Sequence, residues 1–340
     1  GYDIVILDNL TNSSRLVIDR ISKILCFTET ELNSRLTLIE GDIRDHRFID
    51  NLFIDQINRN KPISSVFHFA GLKSVKESVI NPKKYWNVNV IGSNNLINVM
   101  VKHNCKTLIF SSSATIYGES TNYLIPEDSK IKPINPYGET KAEIEKILYD
   151  LAGCNKKSSN IKIPSPKGWR IARLRYFNPV GAHESGLIGE SPVGAPNNLF
   201  PIISQVVIKK EDSLKIFGND WPTPDGSAIR DCIHVMDVAE GHYYALKYLL
   251  NSEPQLLTLN LGTGKGTSVF KVIKTFEKVI KKNIRYEIVE RRSGDPAMVV
   301  ADVRMAKKYL NWEAKRDLDE MCSTCIKWQS SNPNGFLKHY

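Results

Sequence analysis

The chain has 340 residues and a formal net charge of +9 at pH 7, with 41% hydrophobic and 24% charged residues. These values are ordinary for a soluble globular protein, and the length suits one large or two moderate domains. Because the basic residues are scattered and form no long block of like charge, we predict no nucleic-acid partner. The sequence contains neither a long apolar run nor a secretory signal pattern, so we expect no membrane partner and a cytoplasmic protein.

Five apolar segments in the first half predict buried strands, and helical stretches separate them. Continuous β-branched runs that alternate with helices are typical of a parallel sheet with helices on both faces. The pattern therefore predicts an α/β fold with a Rossmann-type, doubly wound parallel sheet. The predicted strands are Ile4–Leu7, Leu36–Ile39, Val66–Phe69, Leu108–Phe110 and Ile171–Leu174, and the predicted helices lie around Phe48–Asn58, Tyr85–His103 and Tyr137–Leu151.

Small or polar residues follow four of these strands, at the sheet edge where parallel α/β folds bind ligands. Asp8, Asp42, Gly71 and Ser113 occupy these positions. An acidic residue after the second strand of a Rossmann unit accepts hydrogen bonds from the adenosine ribose. Asp8 is such a residue, and its charge disfavours a 2′-phosphate, so we predict NAD rather than NADP as the cofactor.

The pattern changes after residue 177, where proline and glycine become frequent and the predicted strands become shorter. We predict a NAD-binding Rossmann domain over residues 1–177. Residues 178–340 would form a smaller, mainly substrate-binding C-terminal subdomain, with some segments that return to the Rossmann core. The polar segment 153–168 is interpreted as an exposed loop insertion. Gly262–Gly266 lacks the spacing of a phosphate loop and is interpreted as a tight turn between a strand and a helix.

The six cysteines of the chain do not form a disulfide framework. Cys322 and Cys325 form one CxxC motif on a predicted C-terminal helix. A structural zinc site requires a second pair of ligands. No other pair has a suitable spacing, so we predict no metal.

Tyr137 and Lys141 are four residues apart, which places a phenol and an ammonium group on one helix face. An unperturbed phenol has a pKa of about 10, and a general base works best near the operating pH. An ammonium group at contact distance is expected to bring the phenol pKa close to neutrality. The pair could then take a proton from a hydroxyl group, and the upstream serine run 111–113 strengthens this interpretation.

Segments along nearly the whole chain resemble, in the same order, the UDP-glucose (or UDP-galactose) 4-epimerases of the extended short-chain dehydrogenase/reductase family. The resemblance implies interconversion of UDP-glucose and UDP-galactose. A C4 hydride would pass to bound NAD, and the 4-keto sugar would rotate and be reduced again. It also implies a UDP-hexose substrate and a homodimer. The segments are LDNLTNSSR (7–15), EGDIRD (40–45), FHFAGLKSVKES (67–78), NVNVIGS (87–93), FSSSATIYGE (110–119), NPYGETK (135–141), RYFNPVGAHESGLIGE (175–190), PNNLFP (196–201), IFGNDWPTPDG (216–226), RDCIHVMDVAEGH (230–242), NLGTGKGTSV (260–269) and RRSGDPA (291–297).

The resemblance also implies roles for individual residues. Tyr137 would deprotonate the sugar 4-hydroxyl, Lys141 would lower the tyrosine pKa and hold the nicotinamide ribose, and Ser113 would bind the same sugar oxygen. Cofactor contacts are implied for Asp8, Asn9, Asn12, Ser13, Asp42, Ile43, Phe69, Ala70, Gly71, Lys73, Asn89, Tyr137, Lys141 and Phe177. Substrate contacts are implied for Ser113, Asn178, Asn198, Leu199, Phe217, Arg230, Arg292 and Asp295.

The chain departs from the family pattern at a few places. Family members carry a strand and a glycine loop before the segment that starts at Gly1. We therefore expect the natural protein to have about 20 further residues of this kind, which would cradle the pyrophosphate. Cys232 stands where the family usually has tyrosine. Met298 lies near the position that controls entry of N-acetylated sugars, so only weak activity is expected on UDP-N-acetylglucosamine.

Three alternative functions fit the same fold. A sugar-nucleotide 4,6-dehydratase would normally carry an acidic pair after the active-site serine, where this chain has Ala114 and Thr115. A 4-epimerase of UDP-N-acetylglucosamine or another UDP-sugar is a closer alternative. A non-catalytic NAD-binding regulator is the alternative from another class, but such proteins typically lose Tyr137 or Lys141, and this chain keeps both.

Overall fold

A computed structural model describes residues 2–119, 123–154, 161–194, 196, 198–292 and 294–336 of the chain. Strands and helices alternate through the first half, as the sequence predicts. The strands are β1 (Ile4–Asp8), β2 (Leu36–Glu40), β3 (Val66–His68), β4 (Thr107–Ser113), β5 (Lys162–Pro164), β6 (Arg170–Tyr176), β7 (Asn178–Val180), β8 (Leu214–Phe217), β9 (Ile229–His234), β10 (Gln255–Leu261), β11 (Gly266–Ser268), β12 (Tyr286–Val289) and β13 (Met298–Val299). The α-helices are α1 (Leu16–Leu25), α2 (Glu29–Arg35), α3 (His46–Asn58), α4 (Val75–Ile80), α5 (Pro82–Tyr85), α6 (Gly92–Lys102), α7 (Pro136–Ala152), α8 (Leu199–Val207), α9 (Val235–Leu250), α10 (Val269–Ile280), α11 (Arg304–Leu310) and α12 (Leu318–Ser331).

The central sheet has five strands in the order β3-β4-β6-β10-β5, and the first four run parallel. β4 is buried along its whole length, as expected for a parallel strand between two layers of helices. Leu108 and Phe110 of β4 pack with α3, α6 and α7, whereas Ile109 packs with α9 and α11. This alternation between two helical layers confirms the Rossmann-type, doubly wound α/β fold.

β1 and β2 form a separate two-stranded parallel sheet in which Asp8 lies opposite Glu40. Within the described part of the chain, no backbone ladder joins β1 to β3. Both sheets rest on one apolar core, because Val5 of β1 and Val66 of β3 pack against the same cluster of α3 and α6 side chains. β1 therefore belongs to the same hydrophobic layer as the central sheet.

The segment predicted as one helix over Tyr85–His103 contains three consecutive helical elements. α5 ends at Tyr85, a π-helical turn covers Trp86–Ile91, and α6 begins at Gly92. The prediction of one uninterrupted α-helix is therefore corrected, because a hydrophobic pattern does not distinguish a single π turn from α-helix. Asn89 lies buried inside this turn, and such turns are frequent at functional sites.

The second half contains two smaller sheets and a second apolar core. β7, β9, β11 and β13 form one sheet, β8 pairs with β12, and β10 returns to the central sheet beside β6. Side chains of α8, α10 and α12 build the second core. Cys322 and Cys325 are buried on α12, which confirms the helical interpretation of this motif. No helix in the described ranges is both long and apolar enough to cross a membrane.

Part of the segment 153–168 is an edge strand rather than an exposed loop. β5 pairs antiparallel with β10, and Ile163 lies buried opposite Leu256. The prediction of a loop is wrong here because Ile163 supplies an apolar contact within an otherwise polar sequence. Residues 155–160 of the segment lie outside the described residues.

Gly262–Gly266 forms the predicted tight turn after β10. The amides of Thr263 and Gly264 donate hydrogen bonds to the carboxylate of Asp231 at 2.8 and 3.0 Å. The short strand β11 lies between the turn and α10, so the turn joins two strands and not a strand and a helix. Because these two amides already donate to Asp231, they are not free to bind a phosphate group.

Candidate active site

α7 begins beside the carboxyl end of β4, and this contact assembles the predicted catalytic residues. Asn135 caps the helix by accepting a hydrogen bond from the Gly138 amide at 2.9 Å. Gly138 permits a close approach, since a Cβ there would lie 2.9 Å from the carbonyl oxygen of Thr115. Tyr137 is thereby brought close enough to Ser113 for the serine hydroxyl to affect the pKa of the phenol.

Tyr137 and Lys141 share one buried face of α7. The Lys141 ammonium donates to the carbonyl oxygen of Ser111 at 2.8 Å and lies 6.0 Å from the centre of the Tyr137 ring. Burial raises the pKa of Tyr137, Tyr176 adds to the rise, and the Ser113 hydroxyl opposes it only partly. The expectation that Lys141 brings this pKa close to neutrality is wrong for this geometry, because desolvation outweighs a cation at that distance.

Burial also changes the titration of Lys141. It lowers the pKa of the ammonium group to about 8, while the negative charge of Glu145 opposes the change. The group therefore keeps its proton at pH 7. A positive charge is present on the same buried face as Tyr137, where it favours any negative charge that develops on the phenol oxygen.

Glu145 lies one turn beyond Lys141 on α7 and was not among the predicted residues. Its carboxylate accepts two hydrogen bonds from Arg175 at 2.6 and 2.9 Å and lies 3.6 Å from the Arg173 guanidinium. Burial raises the pKa of Glu145, but the two arginines outweigh this and hold it below its usual value. Glu145 follows Lys141 by four residues, just as Lys141 follows Tyr137. This repeated spacing is the signal in the sequence that could have identified Glu145.

Two buried histidines lie near these residues, and the sequence singled out neither. His242 donates through Nδ1 to the carbonyl oxygen of Val238 and accepts from the Ser111 hydroxyl through Nε2, each at 2.8 Å. Nε2 of His68 lies 2.7 Å from the Ser93 hydroxyl. Burial lowers the pKa of His242 to about 4 and that of His68 to about 3. Both rings are therefore neutral at pH 7.

Asn89 braces the loop that follows β3. Its amide group donates to the carbonyl oxygen of Leu72 and to the Thr140 hydroxyl, both at 3.0 Å, and its Oδ1 accepts from the Leu72 amide at 2.7 Å. A Cβ on Gly71 would lie 3.1 Å from Oδ1 of Asn89. The loop backbone is thus fixed against α7, whereas direct contact of Asn89 or Gly71 with the cofactor stays a prediction.

The predicted adenosine-binding residues lie at the carboxyl ends of β1 and β2. Asp8 accepts a hydrogen bond from the Ser13 hydroxyl at 2.8 Å, and Asn9 donates to Asp42 at 2.9 Å. Arg44 lies 2.7 Å from Asp42 and holds the pKa of that carboxyl well below its usual range. The structure therefore brings these four predicted residues to one edge.

Two further residues of this set have structural contacts. The side chain of Asn12 accepts a hydrogen bond from the Val193 amide at 2.9 Å, which ties the loop after β1 to the second half of the chain. Ile43 is buried against Gly92, where a Cβ would lie 2.6 Å from its Cδ1. Their contact with adenosine stays a prediction.

The donor and acceptor set at this edge fits NAD. The Asp8 carboxylate at the end of a parallel strand is the chemical group that binds a ribose diol. Gly71 leaves the backbone after β3 accessible without a side chain, in a loop that Asn89 holds in place. Tyr137 and Lys141 lie at the end of β4, where the nicotinamide ribose would be held.

The aromatic residues predicted near the nicotinamide differ in burial. Phe69 is 58% exposed, and its ring lies 4.9 Å from that of His242. Ala70 packs against the core of the first half. Phe177 is buried, and its ring centre lies 6.5 Å from that of Tyr117. Of the two phenylalanines, Phe69 is therefore the one that presents its ring to solvent.

Apart from Ser113, the predicted substrate residues lie in the second half of the chain. The Arg292 guanidinium stacks over the Phe217 ring at 3.8 Å from its centre. Burial lowers the pKa of Arg230, and the charge of Asp295 opposes this shift. Asp295 is therefore close enough to Arg230 to affect its pKa, and the two arginines carry the kind of charge that a diphosphate requires.

The remaining substrate-side residues lie at the starts of elements. Asn178 begins β7 and pairs with Cys232 of β9, and Leu199 begins α8 and packs against the second core. Cys232 is buried, which raises the pKa of its thiol to about 12. Met298 pairs with Ile229 in the same sheet. Contact of these residues with substrate stays a prediction.

Lys73 and Asn198 meet at one carboxylate that the sequence did not single out. Oε1 of Glu190 accepts from the Lys73 ammonium at 3.3 Å and from the Asn198 amide at 3.2 Å. Lys73 follows β3 in the first half, whereas Asn198 precedes α8 in the second. A predicted cofactor residue and a predicted substrate residue thus share one partner.

A Rossmann-type fold with a buried serine, tyrosine and lysine at the end of a central strand defines a short-chain dehydrogenase/reductase. Residues 1–325 match the family model described as GDP-mannose 4,6 dehydratase. The chain is 46% identical to the UDP-glucose 4-epimerase of Bacillus subtilis (strain 168) over 99% of its own length and 92% of that protein. The chain belongs to the extended short-chain dehydrogenase/reductase family and, within it, to the UDP-glucose 4-epimerases.

Solved structures agree with this assignment. One is UDP-glucose 4-epimerase from Stenotrophomonas maltophila with bound NAD and formylated UDP-arabinopyranose, which is 40% identical with a TM-score of 0.88 and covers 98% of this chain and 92% of its own. Another is the enzyme from Bifidobacterium longum in complex with NAD+ and UDP. It is also 40% identical, with a TM-score of 0.87, and covers 99% of this chain and 93% of its own.

Proposed function

We propose that this chain interconverts UDP-glucose and UDP-galactose by transient oxidation at C4 of the hexose. The observation that carries the proposal is the burial of Tyr137 and Lys141 on one face of α7, next to Ser113 at the end of β4. NAD, when bound, supplies the hydride acceptor and returns the hydride within the same turnover. The chain's own residues bind the sugar, orient it and move the proton of its 4-hydroxyl.

Tyr137 is the group that takes this proton. The Ser113 hydroxyl lies close to the phenol, so a sugar 4-hydroxyl that binds both groups could pass its proton to Tyr137 directly. Because burial raises the Tyr137 pKa, the phenolate requires positive charge in the assembled site. Lys141 supplies one such charge, and the nicotinamide ring of oxidised NAD carries another.

We infer that the UDP part of the substrate binds to the second half of the chain. Arg230 and Arg292 would bind the diphosphate and Phe217 would lie against the uracil region, and the contact between Arg292 and the Phe217 ring supports a shared site for them. Residues 1–177 would then be the cofactor domain and residues 178–340 mainly the substrate subdomain. Some later segments would return to the cofactor domain. The pairing of β10 with β6 supports this part of the proposal.

Elimination chemistry is disfavoured by the residues after Ser113. Ala114 is buried, and Thr115 donates its hydroxyl hydrogen bond to Ser113 at 3.0 Å. Neither side chain can serve as the acid that assists loss of a sugar hydroxyl as water. The family model's description as a dehydratase therefore does not extend to the reaction that we propose.

We further propose a homodimer in the cytoplasm. Trp86, Ile91 and Val101 are exposed apolar side chains along the π turn and α6, next to α7. Covering them with a second copy would remove apolar surface from water. The six cysteines are all free, which suits a reducing compartment. Analytical ultracentrifugation of the wild type and of an Ile91→Lys, Val101→Lys variant would test the dimer.

The direct experiment is incubation with UDP-galactose and chromatographic separation of the nucleotide sugars. We expect UDP-glucose to form until the same ratio is reached from either sugar. UDP-N-acetylglucosamine should react weakly at most, and equal rates on both sugars would remove the proposed preference. A 4-keto-6-deoxy product would assign the chain to the dehydratases instead. No turnover by a folded, NAD-loaded protein would favour the regulator.

A further inference from the structure

The segment that carries Glu190 is anchored by helices from both ends of the chain. Trp328 of α12 donates its indole N–H to the Glu190 carbonyl oxygen at 3.0 Å. Gly189 lies directly under that indole, since a Cβ there would come within 2.3 Å of the ring. Arg20 of α1 donates to the carbonyl oxygen of Leu187 at 2.7 Å. The backbone at Glu190 is therefore fixed before any ligand binds.

The Glu190 side chain extends from this fixed backbone to Lys73 and Asn198. Its 28% exposure contrasts with 63% for the Lys73 side chain. A lysine on a flexible four-carbon stem has many rotamers, and a ligand that binds it must restrict them. The carboxylate restricts both side chains in advance.

The partners of Glu190 keep donors for a ligand. An ammonium group has three hydrogens and a side-chain amide has two. The single contact that each makes with Glu190 therefore leaves two donors on Lys73 and one on Asn198. Glu190 also places a negative charge next to Lys73, which favours this position of the ammonium group over others.

We propose that Glu190 is a positioning residue for the UDP-sugar: it turns Lys73, for which the resemblance implied a cofactor contact, towards Asn198, so that the remaining donors of both meet the substrate's phosphate or sugar oxygens. The proposal deepens the proposed function and rests on it. Glu190 does not touch the reacting carbon in this account. Its loss should therefore weaken substrate binding and leave the chemical step intact, as for interactions made equally in ground and transition states.

The test compares the NAD-loaded wild type with Glu190→Ala, Glu190→Gln and Glu184→Ala. Glu184 is an exposed acid six residues earlier in the same segment and serves as the matched control. We expect Glu190→Ala to raise KM for UDP-galactose about tenfold, with kcat changed less than about twofold. Glu190→Gln keeps an oxygen that accepts both hydrogen bonds, so it should recover most of the affinity. Glu184→Ala should match the wild type.

Calorimetric binding of UDP-glucose to the same four proteins separates this proposal from the epimerase assignment. If the wild type does not turn over UDP-galactose, the proposed function fails, but the same order of affinities would still support the positioning role. A KM and a Kd for Glu190→Ala within twofold of the wild type would overturn it. A fall in kcat at unchanged KM would overturn it too, and so would a loss of bound NAD, since either would assign Glu190 to another task.

Discussion

Two regions of the candidate site differ in how far their charged groups are exposed to water. Around α7, the Glu145 carboxylate and the Arg175 guanidinium are almost completely buried, with 1% and 3% of their side chains exposed. At the carboxyl ends of β1 and β2, where adenosine binding is predicted, Arg44 and Asp42 form an ion pair of similar length, but their side chains are 45% and 24% exposed. Water screens the second pair and not the first. Equal distances therefore do not mean equal energies, and substitutions in the two regions should differ accordingly.

The largest effect is expected from Tyr137→Phe in the buried region. Removal of the phenol oxygen abolishes the proton acceptor and should lower kcat by about 10³- to 10⁴-fold. The measurement is kcat for UDP-galactose, with circular dichroism to verify the fold. Tyr309→Phe, on α11 away from the site, is the control and should keep full activity. Activity of Tyr137→Phe within tenfold of the wild type would remove Tyr137 from its assigned role.

Glu145→Gln should produce the next largest effect, on stability. The change leaves Arg175 and Arg173 buried without their carboxylate, which should cost about 3–5 kcal/mol in the free energy of unfolding. Urea denaturation measures this cost. Glu143→Gln on the same helix breaks an exposed pair with Lys146 at 3.5 Å and should cost less than about 0.5 kcal/mol. Similar costs for the two variants would mean that burial does not distinguish the two regions.

The buried region should also show a specific response to acid. Burial holds the pKa of His242 at about 4, below its ordinary value of 6.5. Between these two values the unfolded chain binds the proton and the folded chain does not, so stability falls as the pH drops from 6.5 towards 4. His242 alone should contribute up to about 3 kcal/mol to this loss.

Urea denaturation at pH 7 and at pH 4.5 tests this contribution. His242→Gln cannot bind the proton, so the difference between its two unfolding free energies should be smaller than that of the wild type. His46 is an exposed histidine at the start of α3, and His46→Gln should leave the difference unchanged. An unchanged difference in His242→Gln as well would mean that this imidazole is not held neutral.

The residues that sequence reasoning identified share a short-range signal. Tyr137 and Lys141 lie four residues apart on one helix, and Asp8 directly follows an apolar run, so local periodicity predicts both elements. Glu145 had the same signal, yet its importance depends on Arg175, thirty residues later on β6. The prediction that the pKa of Tyr137 is lowered was wrong because the sequence specifies the neighbouring cation but not the desolvation that opposes it.

Other parts of the site depend on contacts that no local pattern encodes. Glu190 meets Lys73 across 117 positions of the chain. The π turn that holds Asn89 interrupts a segment whose hydrophobic pattern suits an ordinary helix. Such features arise when separate elements pack together. The parallel sheet was predictable because each buried strand is a continuous apolar run, whereas the polar partners of the site come from different elements.

The smallest effect is expected at the carboxyl ends of β1 and β2, where adenosine binding is predicted. Arg44→Ala removes the exposed ion pair with Asp42 and should lower the free energy of unfolding by less than about 1 kcal/mol, because water and salt screen both groups. Denaturation in low and high salt would show the difference from the wild type shrinking as salt rises. Asp42 keeps its hydrogen bond from Asn9 at 2.9 Å, which limits the loss further. A cost near that of Glu145→Gln, insensitive to salt, would mean that this edge is shielded from water, and the contrast between the two regions would then fail.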